Sequence, residues 1–126
     1  SDSRWAHRPR RPVELYAQRN DPATAAGRIY GGLRHLIELR RSMPALAGGR
    51  IAGFVTDNRH VLGFQRFGEG GGVLVLANFA DDPQTIAANR FATMPPRAQD
   101  LVGGATLHLR VDLTLRARQV AWLPFG

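Results

Sequence analysis

The predicted fold depends on one apolar stretch, Val73-Leu74-Val75-Leu76-Ala77-Asn78-Phe79. A short apolar run between a glycine-rich segment and the turn Asp81-Asp82-Pro83 predicts a buried strand. The run is far too short to span a bilayer. With 126 residues, 44% of them hydrophobic, the chain is long enough to bury a core around this strand. We therefore expect a folded, mainly β protein.

Short segments with strand-like composition lie on both sides of the central strand. Residues 50–56 and 60–67 are separated by Asp57-Asn58-Arg59, which predicts a hairpin, and the glycines of residues 68–72 predict a flexible loop. Short strands at this spacing, with Gly and Asp turns between them, predict an antiparallel β-sandwich with Greek-key connections. The further predicted strands are residues 84–88, 98–101, 106–111 and 119–123.

One amphipathic helix is predicted upstream of the strands. Asp21 suits the N-cap, Pro22 suits the first helical position, and Pro44 ends the helix. Gly31-Gly32 weakens the helix and suggests a close packing contact. Because little else in the chain is helical, we expect the apolar stripe to fold back on the sandwich, to pair with another copy of the chain, or to be poorly ordered. The stripe consists of Ala26, Ile29, Leu33, Leu36, Ile37 and Met43.

Composition argues against several classes of protein. The net charge is +7 and every basic residue is Arg, but only Arg8, Arg10 and Arg11 cluster, and prolines interrupt them. A nucleic-acid partner is therefore not expected. The absence of cysteine excludes disulfides and thiolate metal sites. No secretory signal or membrane segment is visible, and we expect no membrane partner. The localisation stays unknown, with the cytoplasm favoured for a longer parent protein.

Several motifs resemble glycoside hydrolase family 13, the α-amylase clan. The segment from Leu36 to Leu46, LIELRRSMPAL, resembles the last helix of that family's catalytic (β/α)₈ barrel. The central strand with its Asn-aromatic pair resembles the C-terminal β domain that follows the barrel. Two further elements, Asp100-Leu101-Val102-Gly103-Gly104 and Val120-Ala121-Trp122-Leu123-Pro124, resemble a later turn and the closing strand of that domain.

The first residues resemble the amylosucrase branch of the family and the related sucrose hydrolases. The matching segments are Asp2-Ser3-Arg4-Trp5, Arg8-Pro9 and Leu15-Tyr16-Ala17-Gln18-Arg19-Asn20-Asp21-Pro22. The resemblance covers essentially the whole chain. It implies that residues 1–47 are the end of the barrel (loop 8 and helix 8), and that residues 48–126 are the C-terminal sandwich.

The resemblance also implies an activity for a longer parent protein. Amylosucrases cleave sucrose, release fructose and transfer glucose to an α-1,4-glucan. Retaining transfer needs two carboxylates, which this family carries on barrel strands upstream of these residues. We therefore expect no catalytic residue, cofactor or metal here, and no activity from this portion alone. The partners would be the barrel and the domain before it, with sucrose and α-glucan bound through the parent. A sucrose hydrolase and a free-standing carbohydrate-binding sandwich are the alternatives.

One site residue follows from the resemblance. In amylosucrases, the arginine at the position that matches Arg4 forms a salt bridge with an aspartate at the base of the glucosyl pocket. Asp2 would position the loop that carries Arg4. Loops that precede barrel helices border the active site, and the planar guanidinium holds a carboxylate through two hydrogen bonds.

Packing is the preferred role for Trp5 and Tyr16. Trp122 and Phe125 fit the sandwich core or an interdomain contact, and the histidines at 7, 35, 60 and 108 are isolated.

Overall fold

The computed structural model describes residues 12–126. It is mainly β, with one long helix and antiparallel sheets. A boundary between two compact units falls between Ile37 and Glu38, inside the long helix. The division of the chain into a barrel portion (1–47) and a sandwich (48–126) stays a prediction. The elements are α1 (Val13–Ala17), α2 (Ala25–Ser42), β1 (Arg50–Gly53), β2 (Val61–Gly68), β3 (Gly71–Asn78), β4 (Gln84–Ile86), β5 (Arg97–Gln99), β6 (Thr106–His108), β7 (Leu113–Leu115) and β8 (Val120–Phe125).

Helix α2 begins three residues later than Pro22, the first helical position that the sequence predicted. The hydroxyl of Thr24 accepts the N–H of Gly27 at 3.0 Å, as the side chain of an N-cap residue does. Asp21 forms the preceding turn, in which its carboxylate accepts the N–H of Ala23 at 2.9 Å. The helix ends at Ser42, as the proline at position 44 predicted. No helix among the described residues is long and apolar enough to cross a membrane.

The central strand β3 has a neighbour on each edge. The four-stranded sheet has the order β1-β2-β3-β8, and all its pairs are antiparallel. Gly68 pairs with Gly71, so Glu69 and Gly70 form a two-residue hairpin turn where the sequence predicted a flexible loop. The positive φ of 79° at Gly70 is the reason this turn can be so tight.

The second layer is formed by two strand pairs, β4 with β7 and β5 with β6. After β3 the chain leaves the large sheet, forms this layer, and returns as β8 beside β3. This path confirms the predicted antiparallel sandwich, although β7 was not predicted. The core between the layers includes Phe91, which is fully buried and stacks on Phe54 at 5.6 Å. Its other buried members are Val61, Leu74, Leu76, Ile86, Met94, Ala98, Leu109, Leu113, Leu115, Ala121 and Leu123.

Two buried polar side chains fasten loops to this core. The Asp100 carboxylate accepts three backbone N–H groups, from Val102, Gly103 and Trp122, each at 3.0 Å. It thereby joins the turn after β5 to strand β8. The Asn78 amide donates to the carbonyls of Asp82 and Arg116 at 3.0 and 2.9 Å, and so holds the ends of β3 and β7 together. Buried polar groups satisfied in this way specify a single arrangement of loops.

Replacing Asp100 by Ala should lower the free energy of unfolding by about 3 kcal/mol, because buried N–H donors lose a charged acceptor. Urea denaturation of the 126-residue chain measures this change. The control is Asp112→Ala, which removes an exposed carboxylate that accepts one N–H, from Ala88, and should cost less than half as much. Equal losses for the two variants would contradict a special role for Asp100.

Candidate interaction surface

The residues to which the sequence assigned an active-site role are not in the described part of the chain. Arg4 and Asp2 lie outside the described residues, as does Trp5. The roles predicted for these three residues stay predictions. Tyr16 lies on α1 with an exposed ring.

The described acidic and imidazole side chains are dispersed. Asp81 pairs with Arg118, whose Nε lies 2.8 Å from the carboxylate, whereas the carboxylate of Asp82 accepts the side-chain N–H of Gln84. The two adjacent aspartates therefore have different partners. Within residues 12–126, no group of three His, Cys, Asp or Glu side chains is placed to hold a metal ion.

The four-stranded sheet carries mainly apolar side chains on both faces. The residues facing the second layer belong to the core described above. On the opposite face, which we call the outer face, paired residues from neighbouring strands form three rows, since cross-strand partners point to the same side. The rows are Ile51–Arg66–Val73–Pro124, Gly53–Phe64–Val75–Trp122 and Leu62–Ala77–Val120.

One end of the outer face is covered by the segment that follows α2. Pro44–Leu46 forms a 3₁₀ turn, and Ala45 and Leu46 are buried in a small cluster with Val73 and Val75. Met43, Phe64 and Trp122 pack against this cluster. The close approach depends on Gly68, where a Cβ would lie 2.7 Å from the Cα of Ala45. The chain upstream of the sandwich therefore reaches the sheet on this face.

A groove lies beside the covered end. Its volume is about 270 Å³ and its lining combines apolar side chains with two arginines. The Nε of Arg66 is buried and has no hydrogen-bond partner among the described residues, while Nη2 of the same side chain donates to the carbonyl of Gly48 at 3.4 Å. A buried guanidinium N–H without an acceptor is costly. The lining residues are Arg40, Leu46, Phe64, Arg66, Val75 and Trp122.

The remainder of the outer face is open. Leu62 is 50% exposed and Ile51 is 61% exposed, although both lie in the rows of apolar side chains. Beyond the end of β3, Phe79 is 73% exposed beside the ion pair of Asp81 and Arg118. Single exposed apolar residues are common, but these share one sheet face, which makes that face a candidate interaction surface.

Helix α2 carries a second exposed apolar set. Ile29, Leu33 and Ile37, three members of the predicted stripe, are all at least half exposed. A Cβ at Gly31 or Gly32 would meet no described atom within 4 Å. The close contact at these glycines stays a prediction, because the described residues supply no atom near them.

Sequence reasoning did not identify the outer face. The signal was present in the central run, where five apolar residues follow one another without polar alternation. An antiparallel strand with one solvated face alternates, so an unbroken run indicates burial on both faces. Trp122, for which the sequence allowed either core or interdomain contact, lies on the outer face. Phe125 packs at the core edge, with its ring edge-on to Phe67 at 5.7 Å.

No family model matches the chain. Among solved structures, the chain is similar to the trehalulose synthase MutB from Pseudomonas mesoacidophila MX-45, with a TM-score of 0.66, 23% identity, and 88% of this chain matched to 19% of that one. It is also similar to AmyP in complex with maltose, with a TM-score of 0.65, 19% identity, and 80% of this chain matched to 21% of that one. At these identities the likeness establishes the fold. The chain spans about a fifth of the length of either protein.

The contact of the Pro44–Leu46 turn with the sheet can be tested through two glycines. Gly68→Ala should lower the free energy of unfolding by about 1–3 kcal/mol, because the added methyl group meets the backbone of Ala45. Gly53→Ala is the matched control, since the same methyl group in β1 meets no described atom within 4 Å. Chemical denaturation of both variants measures the difference. A neutral Gly68→Ala would contradict the observed close approach.

Proposed function

We propose that this chain is the C-terminal portion of a glycoside hydrolase family 13 enzyme, in which the sandwich supports a catalytic barrel. The main support is the match of most of this chain to about a fifth of the sugar-converting enzyme MutB. The family-like segments at residues 36–46 and 73–79 support the same conclusion. So do the exposed stripe on α2 and the open outer face, since both are apolar surfaces suited to a neighbouring domain.

Within that family, we propose that the parent enzyme is amylosucrase-like and acts on sucrose. The support is the resemblance of residues 2–5 and 15–22 to amylosucrases, together with a solved complex of MutB with "the substrate sucrose". In a retaining reaction, a barrel carboxylate attacks C1 of the glucosyl unit while an acid protonates the departing fructose oxygen. A glucan hydroxyl then attacks C1 of the glucosyl-enzyme and releases the carboxylate nucleophile. Its proton passes to the residue that acted as the acid in the first step and now acts as the base.

In this proposal Arg4 is the residue of the chain that contributes to the active site. It would form a two-point salt bridge with a barrel aspartate, closing the glucosyl pocket so that only a terminal glucosyl unit enters. Asp2 would hold the loop that carries it. A sucrose hydrolase would use the same pocket but pass the glucosyl unit to water.

The reading frame directly upstream is the decisive observation. A long coding sequence with the barrel carboxylates supports the proposal, whereas a start codon immediately before this segment contradicts it. A free-standing carbohydrate-binding sandwich would then be the alternative, and retention of the 126-residue chain on an immobilised α-glucan would identify it.

The 126-residue chain should release no fructose from sucrose, and the parent enzyme should release it readily. In the parent, Arg4→Ala should lower kcat/KM for sucrose by about 100-fold or more, because the pocket aspartate loses its charged partner. Arg97→Ala, a change at an exposed arginine of strand β5, is the control and should have no effect. Fructose release by the 126-residue chain alone would contradict the proposal. The ratio of glucan to free glucose separates the transferase from the hydrolase.

A further inference from the structure

We propose that Thr24 is a positioning residue for Arg4, an inference that rests on the proposed function and goes beyond it. Thr24 fixes the turn by which the chain enters α2, residues 18–24, which we call the entry turn. Through this turn it sets the course of the upstream loop that carries Arg4 in the proposed active site. The inference is carried by the hydrogen bonds of one hydroxyl group, a glycine contact and a cation–π pair.

The entry turn has no apolar anchor among the described residues. No residue of α1 or of the 3₁₀ turn Gln18–Asn20 is buried. The two elements are continuous, because the backbone N–H of Gln18 bonds to the carbonyls of Leu15 and Tyr16. A segment with few buried apolar contacts depends on its polar contacts for its place. The polar contacts of the entry turn therefore decide where this segment lies against α2.

The hydroxyl of Thr24 makes more contacts than a helix cap needs. It accepts the N–H of Gly27 at 3.0 Å, which is its role as the cap. Its own proton is directed at two carbonyls of the entry turn, that of Gln18 at 2.9 Å and that of Asp21 at 2.8 Å. Gln18 is six residues away in sequence, and starting a helix does not require a contact with it. The donated hydrogen bonds therefore tie the incoming chain to the helix.

Two further contacts hold the entry turn against α2. Gly27 is buried, and a Cβ at this position would overlap the carbonyl oxygen of Asp21, so this close approach requires glycine. The guanidinium of Arg19 lies 5.4 Å from the centroid of the Tyr30 ring, within the range of a cation–π interaction. Both contacts join the chain before α2 to the first turns of the helix, as the hydroxyl of Thr24 does.

The place of the entry turn in the parent enzyme gives these contacts a functional consequence. By the resemblance, the turn joins loop 8 to helix 8, and loops that precede barrel helices border the active site. Arg4 belongs to that loop, and its salt bridge needs two nearly parallel hydrogen bonds. A misplacement of about 1 Å in such a contact can cost about 100-fold in rate. A loosened entry turn therefore impairs the glucosyl pocket, although Thr24 does not touch the substrate.

Steady-state kinetics of the parent enzyme test the inference. Thr24→Val removes the hydroxyl and keeps the shape of the side chain, and it should lower kcat/KM for sucrose by about tenfold or more. Thr24→Ser keeps the hydroxyl and should recover most of this loss. Ser42→Ala is the matched control, because it removes a hydroxyl at the other end of α2 that donates to the carbonyl of Leu39 at 2.8 Å. This control should change kcat/KM by less than about twofold.

A double-mutant cycle separates positioning from a general effect on the fold. Because Thr24 acts through Arg4, Thr24→Val should change kcat/KM by less than about twofold in a parent that already carries Arg4→Ala. The loss from Thr24→Val alone should also divide between kcat and KM in the same proportion as the loss from Arg4→Ala. A general loosening of the fold lowers kcat/KM by the same factor with and without Arg4, and that result would overturn the inference.

The other outcomes distinguish the inference from the proposed function. If Arg4→Ala impairs sucrose cleavage and Thr24→Val does not, the inference is wrong and the proposed function stands. A parent that does not cleave sucrose, or in which Arg4→Ala has no effect, contradicts the proposed function and the inference with it.

A second variant decides the case in which Thr24→Val does not fold, as measured by thermal unfolding. Tyr30→Leu removes the ring that the guanidinium of Arg19 contacts and leaves the hydrogen bonds of Thr24 in place. It should lower kcat/KM for sucrose by about threefold in the parent, and it should have no effect in the parent carrying Arg4→Ala. An equal loss in both backgrounds, or no loss in either, overturns the inference.

Discussion

Strand β3 is hydrogen-bonded on both edges and covered by apolar side chains on both faces, and the remainder of the sandwich is arranged around it. Its edges pair with β2 and β8, which lie on either side of it in sequence, so the chain must leave the sheet and return. Leu74 and Leu76 point into the core, whereas Val73 and Val75 point to the outer face, and all four are buried. A strand in this position loses stability if either face is left in water, since each buried aliphatic side chain contributes about 1.5–3 kcal/mol.

The second layer covers the face of the four-stranded sheet that is opposite the outer face, and a few polar contacts hold this layer in place. Asp100 joins the turn after β5 to the returning strand, and Asn78 joins the ends of β3 and β7. These contacts link residues 22 to 38 positions apart in sequence. Their effect is to fix where loops lie on a core that apolar packing alone would tolerate in several arrangements.

Among the described residues, the turn that follows α2 covers the outer face at one end. Beyond it lie exposed apolar side chains and an arginine with a buried, unpaired Nε. The described residues bury the side chains of β3 on both faces, but they leave apolar side chains of the neighbouring strands exposed on the outer face. The two faces of the sheet therefore differ in how far the described residues cover them.

The sequence by itself determined the positions of most strands, the end of α2 before its proline, and the antiparallel class of the fold, because apolar periodicity and turn residues are local signals. It also gave Arg4 and Asp2 by resemblance, and these stay predictions. It misplaced the start of α2, since Asp21 and Thr24 are both good capping residues and only the hydrogen bond to Gly27 distinguishes them. It predicted a loose loop at residues 68–72, although pairing of β2 with β3 makes the turn tight. The outer face, with its groove beside Arg66, was decided by tertiary structure alone, because its rows bring together residues from four strands that only the register of the sheet aligns.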